Sequence, residues 1–122
     1  MLDKCMTQHE LGIYGESLAR SFLIKKNFKI IQTNYQVSKA EIDIVCEHDE
    51  KLIIVEVKTR KTAEIGEPWK AVTRSKQRQI IKVTNHYINQ FNIQKEVRFD
   101  VISIIHNSYR TKIEHIENAF SP

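Results

Sequence analysis

Asp43, Glu56 and Lys58 stand in two runs of mostly β-branched residues that are separated by a short polar stretch. Runs rich in Ile and Val on either side of such a stretch predict a tight β-hairpin. A turn centred between Asp49 and Glu50 places Asp43 directly opposite Glu56, with Cβ atoms about 4.5–5.5 Å apart. Lys58 shares their face, because side chains alternate along a strand. The hairpin therefore predicts two neighbouring carboxylates with an ammonium group beside them.

This arrangement is costly unless a positive charge compensates it. Two full negative charges about 5 Å apart repel by roughly 3 kcal/mol at an effective dielectric constant near 20. A divalent cation such as Mg²⁺ or Mn²⁺ would relieve the repulsion, and Mg²⁺ typically uses one or two protein carboxylates together with waters and substrate phosphates. The ammonium group of Lys58 could stabilise charge that develops on a phosphate. The pattern is typical of a metal-dependent nuclease site.

The elements that must position these residues are two helices and five strands. The hydrophobic spacing predicts a helix over residues 7–26, a strand over 29–36, and then the hairpin. Pro68 suits the first turn of a second helix that extends to about residue 90. A last hairpin has arms over residues 97–105 and 112–117. The order α-β-β-β-α-β-β predicts an α/β fold with a mixed sheet of about five strands flanked by helices, and the second helix permits a parallel crossover.

Length and composition limit the class of protein. A chain of 122 residues predicts one domain over residues 1–122, large enough to withdraw about two thirds of its unfolded surface from water. No segment approaches the length of a transmembrane helix, and residues 1–9 lack the apolar core of a signal peptide. Cys5 and Cys46 form no Cys-x-x-Cys pair, which argues against zinc-ribbon and redox-motif chemistry. We therefore expect a cytoplasmic protein that does not associate with membranes.

The charge is distributed unevenly. The net charge is +4, and basic residues concentrate in one stretch that contains only two acids, Glu64 and Glu67. The basic residues of this stretch are Lys58, Arg60, Lys61, Lys70, Arg74, Lys76, Arg78 and Lys82. Nucleic acid is the simplest partner for such a surface, because phosphate neutralisation supplies most non-specific affinity. A solvated helix face is the alternative explanation.

Three other polar residues occupy positions that invite a functional role. Glu16 lies among small and apolar residues of the first helix, so it is either near an exposed end or part of a polar site. Gln77 could hold a water or a phosphate, although solvent exposure is the more common state of such a glutamine. Asp100 lies inside a strand, where a hydrogen-bonded or salt-bridged structural acid is favoured over an extra metal ligand.

With these residues in hand, the chain resembles the restriction-endonuclease-like superfamily, whose core is a mixed sheet flanked by helices and whose motif is written PD-(D/E)xK. Over residues 12–120 it is more closely similar to the YraN-like family of small bacterial proteins. The matching residues are Gly12, Gly15, Glu16, Ala19, Glu41, Ile42, Asp43, residues 55–60, Lys76, Gln77, Arg78, Arg98, Phe99, Asp100 and Val101.

The resemblance implies roles for individual residues. Asp43 and Glu56 would be metal ligands for Mg²⁺ or Mn²⁺, and Lys58 would stand near the attacking water. Glu16 corresponds to the first-helix acid that Holliday-junction resolvases of the superfamily add to the metal site. The residues expected to contact nucleic acid are Arg60, Lys61, Arg74, Gln77 and Arg78.

The chain departs from the family pattern at two positions. Ala40 stands where the family usually has glycine before its Glu-Ile-Asp motif. If the backbone required a positive φ there, alanine would cost roughly 1–2 kcal/mol. Ile42 precedes Asp43, so the Pro-Asp pair of the superfamily name is absent, but the ligand itself is in place.

Two functions from different classes fit these observations. The leading hypothesis is a metal-dependent endonuclease acting on DNA rather than RNA, with branched DNA as a substrate that the resemblance implies. The alternative is an accessory protein that binds nucleic acid and retains the fold without cleavage. The presence of Asp43, Glu56 and Lys58 together favours the enzyme. The sequence leaves open whether the protein forms a homodimer.

Overall fold

The computed structural model describes residues 6–62 and 72–122, where a five-stranded mixed sheet carries a helix on each face. The elements are α1 (Gln8–Lys25), β1 (Lys29–Val37), β2 (Ala40–His48), β3 (Lys51–Arg60), α2 (Arg74–Gln90), β4 (Val97–His106) and β5 (Thr111–Phe120). This order confirms the predicted α/β class and the predicted succession of elements. Within the described ranges, no helix combines the length and the apolar character that crossing a bilayer requires.

The strands lie side by side in the order in which they occur in the chain, from β1 to β5. Strand β3 runs parallel to β4, and the other neighbouring pairs are antiparallel. Antiparallel neighbours need only a short turn, whereas the parallel pair needs a crossover, which the segment containing α2 provides. The longest connection in the chain therefore lies directly after the strand that carries Glu56 and Lys58.

The turn of the hairpin between β2 and β3 sets the register of the candidate site. Asp49 and Glu50 have φ values of 51° and 63°, the positive values at both central positions that two-residue hairpin turns favour. Strand pairing then places Ile44 opposite Val55. The predicted turn is confirmed, and the predicted register is confirmed as far as the pair of Ile44 and Val55.

The turn between β1 and β2 resolves the question raised by Ala40. Ser38 takes the positive φ in this turn, at 59°, and Ala40 pairs with Val37 as an ordinary strand residue. The backbone of Ala40 does not have a positive φ. Alanine at this position therefore carries none of the strain that a left-handed conformation would impose.

Alternating apolar residues of the central strands form two core layers. The layer on the α2 side contains Ile42, Val45, Leu52, Ile54, Val72, Ile80, Val83, Tyr87, Phe99 and Val101. The layer on the α1 side contains Ala19, Leu23, Phe28, Ile44, Cys46, Ile53, Val55, Ile102 and Ile104. Strand β3 is buried on both faces from Leu52 to Glu56. The first four of these residues are apolar, and Glu56 is the polar residue that follows them.

The helices begin at threonine caps. Thr7 and Glu10 form a reciprocal capping box at the start of α1, which begins one residue after the predicted position 7. Helix α2 begins at Arg74. The hydroxyl group of Thr73 caps it by accepting a hydrogen bond from the backbone N–H of Lys76. The predicted start at Pro68 lies outside the described residues, and the extended conformation of Thr73 shows that α2 begins later than predicted.

Asp100 is a structural acid. Its side chain is fully buried, and it accepts hydrogen bonds from Arg98 (2.9 Å), from the backbone N–H of Asn118 (3.0 Å) and from Nε2 of His115 (2.8 Å). Burial alone would raise the pKa of Asp100, but the bonds from His115, Arg98 and Asn118 together lower it. The prediction that Asp100 is a hydrogen-bonded and salt-bridged acid is confirmed.

Candidate functional site

Asp43 and Glu56 occupy the position that follows the last regular pair of the β2–β3 hairpin, Ile44 and Val55. Oδ2 of Asp43 accepts the backbone N–H of Val57 at 2.8 Å, so the carboxylate is held against the partner strand. Asp43 is partly buried and Glu56 is 9% exposed. The hairpin therefore brings the two acids together at the border between the core and solvent.

The electrostatic state of this pair reflects its burial. Burial is the largest cause that raises the pKa of Glu56 to about 9, and the charge of Asp43 adds to it. The pKa of Asp43 rises to about 6, again mainly through burial, although the N–H of Val57 opposes the shift. At neutral pH, Glu56 therefore keeps a proton that Asp43 helps to hold.

One oxygen of Glu56 lacks a partner. Oε1 is buried and has no hydrogen bond with any residue in the described ranges. An unsatisfied buried acceptor typically costs about 1–3 kcal/mol. The sheet thus holds a carboxyl group whose charge is opposed by burial and one of whose oxygens has no partner among the described residues.

The cation that contacts the pair comes from α2. Nζ of Lys76 lies 3.7 Å from Oε2 of Glu56 and lowers the pKa of that carboxyl group against the larger effect of burial. Lys58, two residues beyond Glu56 on the same strand, is exposed. Within the described residues, Lys58 forms no ion pair with an acid. The tertiary structure therefore adds Lys76 to the predicted trio.

A second group of acids adjoins the pair. The side-chain amide of Asn34 donates to Oε1 of Glu16 at 3.0 Å and to Oε2 of Glu41 at 2.6 Å. The negative charges of Glu16 and Glu41 raise the pKa of Asp43 further, and that of Glu16 also acts on Glu56. Glu16 thus faces the polar site, which resolves the alternative that the sequence left open.

Glu16 lines a hollow of about 560 Å³ between α1 and the start of the hairpin. Its other walls include Arg20, Asn34 and Glu41, so the hollow presents both acceptors and a cation. Asn34 reaches both acids from β1, where its φ is 52°. The hollow is large enough to hold several waters beside the acids.

Close packing of α1 on β3 sets the position of Glu16. A Cβ atom at Gly15 would lie 1.8 Å from Oγ1 of Thr59, a separation that no side chain can adopt. Only glycine lets the helix approach the strand that carries Glu56 this closely. Gly15 therefore controls how near the next residue, Glu16, comes to the acid pair.

Gly15→Ala is expected to destabilise the protein by about 1–3 kcal/mol, because α1 must move away from Thr59. Gly12→Ala is the matched control: a Cβ atom at Gly12 meets nothing within 4 Å. The control should gain about 0.5–1 kcal/mol from the better helix propensity of alanine. Urea unfolding measures both free energies. Equal effects of the two substitutions would contradict the close-packing role of Gly15.

The predicted nucleic-acid-binding residues fall into two groups. Arg74 and Arg78 are exposed on α2, four residues apart on one face, whereas Lys76 lies two residues from each of them and points to a different face of the helix. Gln77 donates to the carbonyl of Val72 at 3.0 Å, so its NH₂ group supports the start of α2.

The second group lies at the end of β3. Nζ of Lys61 donates to the carbonyl of Met6 at 3.1 Å, and the backbone carbonyl of Lys61 accepts a bond from Asn107. Arg60 is half-buried and has partners of its own. This group is thus engaged with the protein, whereas Arg74 and Arg78 remain presented to solvent.

The described residues supply some of the oxygen ligands that a hard divalent cation requires. No group of three His, Cys, Asp or Glu side chains in the described residues is arranged closely enough to hold a metal by itself. Asp43 and Glu56 supply two carboxylates, and Mg²⁺ commonly takes its remaining ligands from waters and substrate phosphates. The unpaired Oε1 of Glu56 is an available donor at this position. The residues therefore fit a metal bound by two carboxylates better than a closed cage.

The sequence did not predict that Asn34 belongs to the site, and it did not predict the contact of Lys76 with Glu56. Lys76 interrupts the apolar stripe of α2, and that interruption was the available signal. For Asn34, no spacing pointed to the site, because its role depends on how β1 lies beside α1. Both residues act through contacts between elements that are distant in the chain.

Comparison with known proteins identifies relatives over nearly the whole chain. Residues 15–104 match the family described as Uncharacterised protein family UPF0102. A UPF0102 protein of Christiangramia forsetii is 46% identical over 116 residues, which cover 94% of this chain and 98% of the relative. A UPF0102 protein of Phocaeicola vulgatus is 43% identical over 118 residues, with 96% and 98% covered.

A third relative, from Clostridium botulinum, is 46% identical over 114 residues, covering 91% of this chain and 93% of the relative. The family match includes Glu16, Asp43, Glu56, Lys58 and Lys76. Because the matches extend over most of both chains, this protein belongs to the UPF0102 family, the YraN-like family that its sequence resembles.

Proposed function

We propose that this protein is a metal-dependent nuclease that hydrolyses phosphodiester bonds in DNA, with a restriction-endonuclease-like site. The meeting of Asp43 and Glu56 at the end of the hairpin, with a buried and unpaired oxygen on Glu56, carries the proposal. A site that only stabilised the fold would satisfy that oxygen, because an unpaired buried acceptor weakens the folded state. Glu16 lies close enough for its charge to raise the pKa of both carboxyl groups.

Asp43 and Glu56 would hold Mg²⁺ or Mn²⁺, and Glu16 would bind a water of the ion or a second ion. A bound divalent ion supplies Lewis-acid stabilisation of the phosphate and lowers the pKa of a bound water. The N–H of Val57 fixes the orientation of Asp43, so this carboxylate is preorganised. Asn34 does the same for Glu16.

The two lysines have separate roles in this proposal. Lys76 contacts Glu56 directly and favours the charged form of its carboxyl group. Lys58 is exposed on the same strand, where its ammonium group can approach a phosphate and stabilise the charge that develops on it. Arg74 and Arg78 would contact neighbouring phosphates from α2.

Cleavage assays test the proposal directly. The purified protein is incubated with linear, nicked, flapped and four-way-junction DNA, and with RNA, in Mg²⁺ or Mn²⁺. Wild type is compared with Glu56→Ala and Lys58→Ala, and with Glu114→Ala and Lys112→Ala as controls that remove exposed charges from β5. We expect cleavage by wild type and both controls, and a loss of about a hundred-fold or more in the two site variants.

Cleavage that survives both site substitutions would refute the assignment of the site. If neither wild type nor the variants cleave but salt-sensitive DNA binding is retained, the accessory-protein alternative replaces the nuclease. The slope of affinity against salt concentration then estimates how many phosphates the protein contacts.

A further inference from the structure

We propose that a groove between the β1–β2 turn and α2 binds an unpaired nucleotide next to the phosphate that is cleaved. The groove has a volume of about 450 Å³ and lies on the same helix as Lys76. This inference rests on the proposed action on nucleic acid and specifies the substrate as a strand with an unpaired segment.

The chemistry of the groove has two parts. Val37, Ala40 and Val83 line it with apolar surface, which suits the face of a base. Lys39 and Lys82 also line it, from the turn and from the helix, and both side chains are exposed. An anion with an apolar planar group attached, such as a nucleotide, complements this combination.

The charged residues that line the groove are basic. Among the described residues that line it, none is acidic. The hollow at Glu16, by contrast, is lined by two acids. The two depressions therefore select different groups: the hollow suits cations and waters, whereas the groove suits a phosphate.

The spacing along α2 connects the groove to the acid pair. Gln79, Val83 and His86 follow Lys76 at intervals that keep all four residues on one side of the helix. At 1.5 Å per residue, Gln79 lies about 4.5 Å and Val83 about 10.5 Å beyond Lys76 along the axis. Stacked nucleotides advance about 3.4 Å each, so these groove residues lie about one to three nucleotide steps from Lys76, which contacts Glu56.

His86 provides a surface at the end of the groove. Its Nδ1 lies 2.9 Å from the hydroxyl group of Tyr35, which holds the ring in place, and the residue remains exposed. Aromatic rings of this kind contribute to binding by stacking on bases. A paired base is enclosed in the duplex stack, so only an unpaired base can present its face to this wall.

Binding assays with two DNA probes test the inference. Fluorescence anisotropy measures Kd for a labelled flapped DNA and for a fully paired duplex of the same sequence, in EDTA to prevent metal-dependent cleavage. The test variant is Lys39→Ala/Lys82→Ala. The matched control is Lys25→Ala/Lys112→Ala, which removes two exposed lysines that do not line the groove. Ala40→Leu fills the groove without a change in charge.

We expect the lysine pair and Ala40→Leu to weaken binding of the flapped DNA by about ten-fold and binding of the duplex by much less. The control pair should weaken both probes equally. Equal losses on both probes in the groove variants would overturn the inference, and so would an absence of binding to the flapped DNA by wild type.

Cleavage assays separate this inference from the nuclease proposal. If wild type prefers the flapped probe through the groove but does not cleave in Mg²⁺ or Mn²⁺, the groove stands and the nuclease proposal fails. If the groove variants bind and cleave flapped DNA like wild type, the groove inference fails and the nuclease proposal stands.

Discussion

Glu56→Gln is expected to remove metal-dependent cleavage and to stabilise the metal-free protein at the same time. The amide keeps the size of the side chain but cannot carry the charge that a divalent cation requires, so the cleavage rate should fall by about a hundred- to a thousand-fold. It also removes a buried carboxyl group whose ionisation is opposed by burial and by Asp43. A gain in stability together with a loss of activity distinguishes a functional acid from a structural one.

The sign of the pH dependence follows from the raised pKa values. The pKa of Glu56 rises from 4.5 to about 9, and that of Asp43 from 3.8 to about 6. The folded protein therefore holds protons that the unfolded chain releases. Their stabilising contribution is complete below about pH 4 and is lost as the pH rises through about 6 and then about 9. The metal-free protein should lose stability between pH 5 and pH 9, in contrast to proteins whose acids have lowered pKa values.

Urea unfolding in EDTA from pH 5 to pH 9 measures this effect. Glu56→Gln should flatten the pH dependence and exceed wild type by about 2–4 kcal/mol at pH 8, since each unit of pKa shift corresponds to about 1.4 kcal/mol. Glu114→Gln, an exposed acid of β5, is the control and should follow wild type. A wild-type stability that stays constant or increases over this range would contradict the raised pKa values.

Addition of Mg²⁺ or Mn²⁺ is expected to raise the melting temperature of wild type at pH 8. A cation that binds only the folded state at a hundred times its Kd adds about 2.7 kcal/mol, which corresponds to roughly 10 °C for a domain of this size. The shift should shrink toward pH 5, because protons then compete with the metal for Asp43 and Glu56.

Scanning fluorimetry with and without metal measures this shift. Asp43→Asn and Glu56→Gln should lose most of it, whereas Glu114→Gln should retain it. A shift of the same size in all four proteins would place the bound metal elsewhere. Glu16→Gln gives a graded test: a partial loss supports a role for Glu16 through water or a second ion.

The extent of sequence-based prediction differs between the hairpin and the second helix. The register of β2 and β3 followed from the chain itself, because two runs of β-branched residues and a short polar turn admit few pairings that bury both faces. The start of α2 could not be predicted from the chain in the same way, since Pro68 and Thr73 both suit a helix start. In the folded protein Thr73 is the N-cap of α2, and Lys76, three residues later, contacts Glu56.

The sequence by itself determined the α/β class, the order of the elements and the hairpin register that leads to Asp43 and Glu56, because hydrophobic period and turn chemistry act over short distances in the chain. The tertiary structure decided which groups complete the site. Lys76 reaches Glu56 only after the crossover places α2 on the sheet, and Asn34 reaches Glu16 only after α1 packs beside β1. It also decided the protonation of the acid pair, because burial depends on the packing of all these elements together.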